Sequence, residues 1–168
     1  MIVKDLFADA PLPADKVTSM ALQQLLREPI NVNDDWQRAE NLLLQVDQAL
    51  GGRLETKVAL YKMYAYSNRF EQSFELIHQV LQQGGAAIDW PADWRQLPDQ
   101  AVDRALIKGP LRLYLYSMKA LGFVSLRSGQ IEQAVEVLNK LELLDPADEV
   151  GGSVVRGMAE SLLEAEQD

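Results

Sequence analysis

Apolar residues recur three and four positions apart along most of this chain, the spacing that lines one face of an α-helix. The clearest run lies between Leu111 and Pro146. Leu111, Leu115, Met118, Leu121, Phe123 and Leu126 mark one amphipathic helix, and Ile131, Ala134, Val135, Leu138, Leu141 and Leu144 mark a second. Ser128-Gly129 makes a tight break between them, since glycine adopts the left-handed conformation that ends a helix, and Pro146 cannot prolong the second. Less regular patterns predict a helix over 14–28 (Val17, Met20, Ala21 and Leu25), stopped by Pro29, and one from Trp36 to Leu50, capped by Asn33, Asp34 or Asp35 and ended by Gly51-Gly52. A further pair is predicted over 53–67 and 70–83, broken at Asn68-Arg69 and closed by Gly84-Gly85. A last helix starts at Ala147 or Val150 and runs to Ala165. Pro11 and Pro13 favour an extended lead-in over 1–13, whose apolar cluster Ile2, Val3, Leu6 and Phe7 folds over the helices or forms an arm. Residues 84–110 interrupt the pattern. There Asp89 and Pro91 open one short helix, Pro98-Asp99 opens another, and Trp90 and Trp94 stand four apart.

Leu121-Gly122, Ala134, Leu138 and Pro146 stand where a tetratricopeptide repeat (TPR) carries its L-G pair, its small residue, its F and its terminal proline, with Met118 and Ser125 replacing the Trp and Tyr. The stretch resembles one TPR unit. Gly122 and Ala134 suit that likeness physically, because small residues let two helix backbones approach. Ala39 and Ser73 fall in the same frame, one repeat of about 34 residues apart. Ala134 comes later than the next period allows, which marks an insertion. The resemblance implies an all-α fold: a TPR-like α-solenoid of about three antiparallel helix pairs (14–50, 53–83 and 111–146). The lead-in arm (1–13), the insertion between the second and third pairs (84–110) and an acidic capping helix (147–168) complete a single domain. It also implies a non-enzymatic protein–protein interaction module, adaptor or chaperone-like, holding a partner peptide or helix on a concave face built from the first helix of each pair. Carried over onto this chain, that face takes Lys62 and Tyr66 from the second pair and Tyr116, Lys119, Phe123 and Arg127 from the third. Cations there would hold carboxylates and rings would pack apolar side chains. Trp90 and Trp94 are candidate contacts on the insertion, against the simpler expectation that both indoles pack inward.

Composition narrows the classes that remain. Hydrophobic residues make up 48% of the 168, enough for one real core. The absence of cysteine excludes disulfides and thiolate metal sites. The first residues show no apolar run of signal-peptide length, and nothing approaches the roughly 20 apolar residues of a membrane span, so a cytoplasmic protein without membrane association is expected. The net charge is −9, and Glu142–Asp168 holds eight acids against Arg156 alone, leaving −7 there and −2 elsewhere. Such a chain repels phosphate backbones, which argues against nucleic acid. The acidic end reads as a solvated capping helix with a polar outer face, the alternative being a patch that meets a basic partner.

Reaction machinery is not evident. The sequence contains no G-x-S-x-G, no phosphate-cradling glycine loop and no H-E-x-x-H. His78, the lone histidine, has no second ligand at metal-binding spacing and reads as a surface residue. Adjacent carboxylates such as Asp34-Asp35 and Asp148-Glu149 sit at helix starts, where capping accounts for them. No cofactor or metal is expected. Two alternatives stand beside the binding module: a self-associating structural subunit, homodimeric at its simplest, and, more remotely, an enzyme.

Overall fold

The computed structural model describes residues 1–12, 23 and 27–167, and these are all-helical, with no strand among the described residues. Most of the helix expected over 14–28 lies outside them. The chain falls into two compact units, Met1–Leu76 and Ile77–Asp168.

In the first unit, helix α1 (Trp36–Ala49) starts where the Asp35 carboxylate accepts the Arg38 backbone N–H at 3.2 Å. Arg69 covers its first residue, the guanidinium 3.3 Å above the Trp36 ring. Gly51 and Gly52, both at positive φ, end it. Helix α2 (Leu54–Tyr66) is buried at every position from Thr56 to Ala65, so its sequence shows no polar face. Helix α3 (Phe70–Ala87) begins in this unit beyond Asn68, which sits at φ 61°, and its residues from Ile77 on belong to the second. Ser73 on α3 is fully buried and donates its hydroxyl to the Tyr61 carbonyl at 2.9 Å. Val3, Leu6, Phe7, Ile30, Val32, Leu43, Val46, Leu60 and Met63 share one core. The lead-in is not extended as expected. Val3–Phe7 forms a 3-10 helix packed on α2, held by backbone bonds from the Val3 N–H to Ile30 and from the Val32 N–H to Met1. Val3 and Leu6 are buried completely, and that burial outweighs the extended tendency that Pro11 lends this end of the chain.

In the second unit, α4 (Gly109–Arg127), α5 (Ile131–Leu144) and α6 (Gly152–Gln167) pack on one another. Two glycines set the spacing. A Cβ on Gly122 would come 2.7 Å from the Leu138 side chain, and one on Gly152 would come 2.6 Å from Leu141. Three sequence expectations are corrected here. Helix α3 runs through Gly84-Gly85 to Ala87 instead of stopping there, because Gly85 serves close approach: a Cβ on it would stand 2.8 Å from the Trp90 carbonyl oxygen. The insertion carries two 3-10 turns, Trp94–Gln96 and Arg104–Leu106, in place of two short α-helices. Asp93 and Asp103 accept the Arg95 and Ala105 N–H groups, each at 3.0 Å, and this local capping competes with helix extension. Finally, α6 starts later than Ala147 or Val150, since Asp148 and Gly151 both adopt positive φ.

Candidate partner-binding face

Helix α4 carries a row of alternating cations and rings. Arg112, Tyr116, Lys119, Phe123 and Arg127 stand at i, i+4, i+7, i+11 and i+15, so they share one stripe about 22 Å long. The Arg112 guanidinium and the Lys119 ammonium lie 5.9 and 5.4 Å from the Tyr116 ring centroid, and the Arg127 guanidinium lies 5.9 Å from that of Phe123. Each such contact contributes about 0.5–1 kcal/mol at an exposed site, enough to order the long side chains along the helix. Tyr116 is buried to 8% exposure, Lys119 and Phe123 are half-buried, and Arg127 is exposed. Lys119 also reaches the start of α6, where its Nζ would lie 3.1 Å from a Cβ on Gly151. There the Asp148 carboxyl is held below the usual carboxylate range, first by the Ser153 hydroxyl and backbone N–H it accepts and further by the Lys119 charge.

The structure thus brings four of the six expected residues onto one stripe. Arg112, which the repeat resemblance does not single out, extends it, and its place one turn before Tyr116 was the available signal. Lys62 and Tyr66 belong to α2, in the first unit. Lys62 is a correction: its side chain is 7% exposed, and its ammonium donates to the Asp9 carboxylate at 2.6 Å and to the Leu6 carbonyl at 3.3 Å. A buried ammonium needs such partners, so the lead-in already supplies the carboxylate expected of a ligand. Tyr66 is 43% exposed, and partial burial and the Asp9 charge push its phenol up.

The insertion's indoles pack inward to different degrees. Trp94 is buried at 3% exposure, its ring under the Arg95 guanidinium, which also pairs with Glu136. Trp90 is half-buried and meets Tyr114 edge-on at 5.0 Å, while the Tyr114 hydroxyl donates to the Pro91 carbonyl at 2.8 Å. Burial and the nearby Asp93 charge push the Tyr114 phenol far up. Lys140 donates to the Leu97 carbonyl and to Asp99, so the insertion is pinned to α5. His78 is exposed, and its imidazole is pushed down first by partial desolvation and then by Arg95. Among the described residues, no three His, Asp or Glu side chains gather closely enough to hold a metal, and no helix is long and apolar enough to cross a membrane.

No family model matches the sequence, and no solved structure does. The "Uncharacterized 19.8 kDa protein in nifW 5'region" of Azotobacter chroococcum mcd 1 is 30% identical over 119 residues, covering 70% of this chain and 67% of that protein. The chain belongs to the family of that protein. That protein's name carries no activity.

Proposed function

We propose that the chain is a non-enzymatic, cytoplasmic protein–protein interaction module, adaptor or chaperone-like. In this reading its helices form TPR-like pairs with an inserted segment, and α4 grips a segment of a partner protein. The observation that carries it is the stripe of three cations and two rings on α4, in a protein whose net charge is −9. A partner segment with carboxylates beside apolar side chains matches that row, since guanidinium groups take carboxylates bidentately while the half-buried Phe123 ring offers apolar surface. On α2 the corresponding role of Lys62 is already filled by Asp9, which supports placing the partner on α4 alone.

The test is affinity capture from native extract with wild type and with Lys119→Glu/Arg127→Glu. A partner held by wild type and lost by the double variant supports the proposal. A partner retained by both proteins removes the site from α4. No partner, together with a dimeric mass in solution, favours the self-associating subunit instead.

A further inference from the structure

Helix α6 exposes a row of apolar side chains beside its buried stripe. Gly152, Val155 and Ala159 form its buried stripe against α4 and α5. Val154, Met158 and Leu162 form a second stripe, each four positions from the next, 63, 48 and 43% exposed. One residue of offset turns this stripe about 100° away from the buried one. A capping helix whose outer face met only water would carry polar residues there, yet three large apolar side chains occupy consecutive turns. Single exposed apolar residues are ordinary, whereas an aligned row marks an interaction surface.

We infer that this row docks a basic amphipathic helix of another protein. Charge selects the occupant. Residues 142–168 carry −7, and Arg156, the one cation among them, is taken up by Glu142 and Glu160. Among the described residues Glu164 and Glu166 form no ion pair. They lie on either side of the stripe near the helix's C-terminal end, where the backbone carbonyls add negative potential. A partner helix with Leu or Ile on one edge and Lys or Arg beside it would cover Val154, Met158 and Leu162 and set its cations over Glu164 and Glu166. A second copy fits poorly, because pairing α6 with itself brings two segments of −7 together. Met158 at the centre of the row has the unbranched, adaptable side chain that moulds to a partner's apolar edge.

The probe is a synthetic peptide of leucine and lysine at helical spacing, with a control of identical composition in scrambled order. The methyl signals of the wild-type methionines provide the first readout. Met158 is expected to shift on titration while Met63 and Met118, both fully buried, stay in place. Val154→Gln/Met158→Gln/Leu162→Gln, all at exposed positions, should weaken the ordered peptide about tenfold, and the scrambled peptide should bind wild type about tenfold more weakly. Glu164→Gln/Glu166→Gln should weaken it and flatten its salt dependence. Equal binding of the two peptides, a stationary Met158 signal or unchanged binding by the triple variant would each overturn the inference. So would a dimer of the free protein that the triple variant disperses, since the occupant would then be a second copy.

Discussion

Two residues show how single contacts fix this structure. Gly122 lies where α4 meets α5, and an added methyl there would stand 2.7 Å from Leu138, itself 2% exposed and unable to swing into solvent. Gly122→Ala should therefore lower stability by about 1–3 kcal/mol despite alanine's better helix propensity, as overpacking generally does. Urea unfolding decides it, and an unchanged or raised midpoint would contradict the close approach. At the start of α6, Asp148 accepts both the N–H and the hydroxyl of Ser153. Its pKa is lowered in the folded state, so the stability it contributes is present above the ordinary carboxylate range and is lost as pH falls through the folded value. Ser153→Ala should raise the Asp148 midpoint, read from its carboxyl carbon by NMR. A midpoint that does not move would assign the depression to the backbone N–H groups of Ser153 and Gly152 and to Lys119 instead.

Elements differ in how far local sequence describes them. The lead-in is tied to α2 by Asp9 and Lys62, fifty-three positions apart in the chain. Asp9→Ala would leave a buried ammonium with only the Leu6 carbonyl, and should cost about 1–3 kcal/mol. Adding Lys62→Met should recover much of that loss, because the charge and its need for a partner leave together. A double variant no better than Asp9→Ala would mean the lead-in is held by its apolar residues alone. No window around residue 62 contains this pairing, which is why Lys62 read as a partner-facing cation. Helices α4 and α5 were legible because one apolar stripe each, a glycine break and a proline stop all agree locally. The choice of Tyr116, Lys119, Phe123 and Arg127 came from the repeat resemblance, and their helical spacing sets them on one stripe. Helix α2 was legible only as a helix, since burial on every side erases the periodicity that tells a face. In the insertion, Asp93 and Asp103 form turns whose side-chain bonds compete with helix, and Gly85 is small for the sake of the Trp90 backbone rather than to end α3. The outer row of α6 was present in the sequence as apolar positions, but which of them the protein covers is decided by the seating of Gly152 against Leu141 on the neighbouring helix, which spacing along α6 alone does not show.

At the scale of the molecule, the second unit gathers its negative charge at one end. Residues 77–141 carry seven cations and six acids, while 142–168 carry −7. The α4 stripe therefore sits in a locally neutral setting from which acidic segments are not repelled, and the acidic end stores self-repulsion. Opposing this, the ion pairs of that end, Arg104 with Glu149 and Arg156 with Glu142 and Glu160, each keep one partner mostly in solvent, and such surface pairs contribute about 0–1 kcal/mol each. Salt weakens both effects, with a screening length of about 8 Å at physiological strength. With one cation against eight acids, repulsive pairs outnumber attractive ones, so raising the salt should stabilise the protein. A net gain near 1 kcal/mol corresponds to a rise in Tm of about 2–4 °C for a chain of this size. Glu164→Gln/Glu166→Gln, which removes two acids without an ion pair, should raise Tm at low salt and shrink the salt-induced gain. Calorimetry from low to physiological ionic strength measures both. A Tm that falls with salt in the wild type would show instead that the exposed ion pairs, and not the unbalanced charge of α6, govern this end of the molecule.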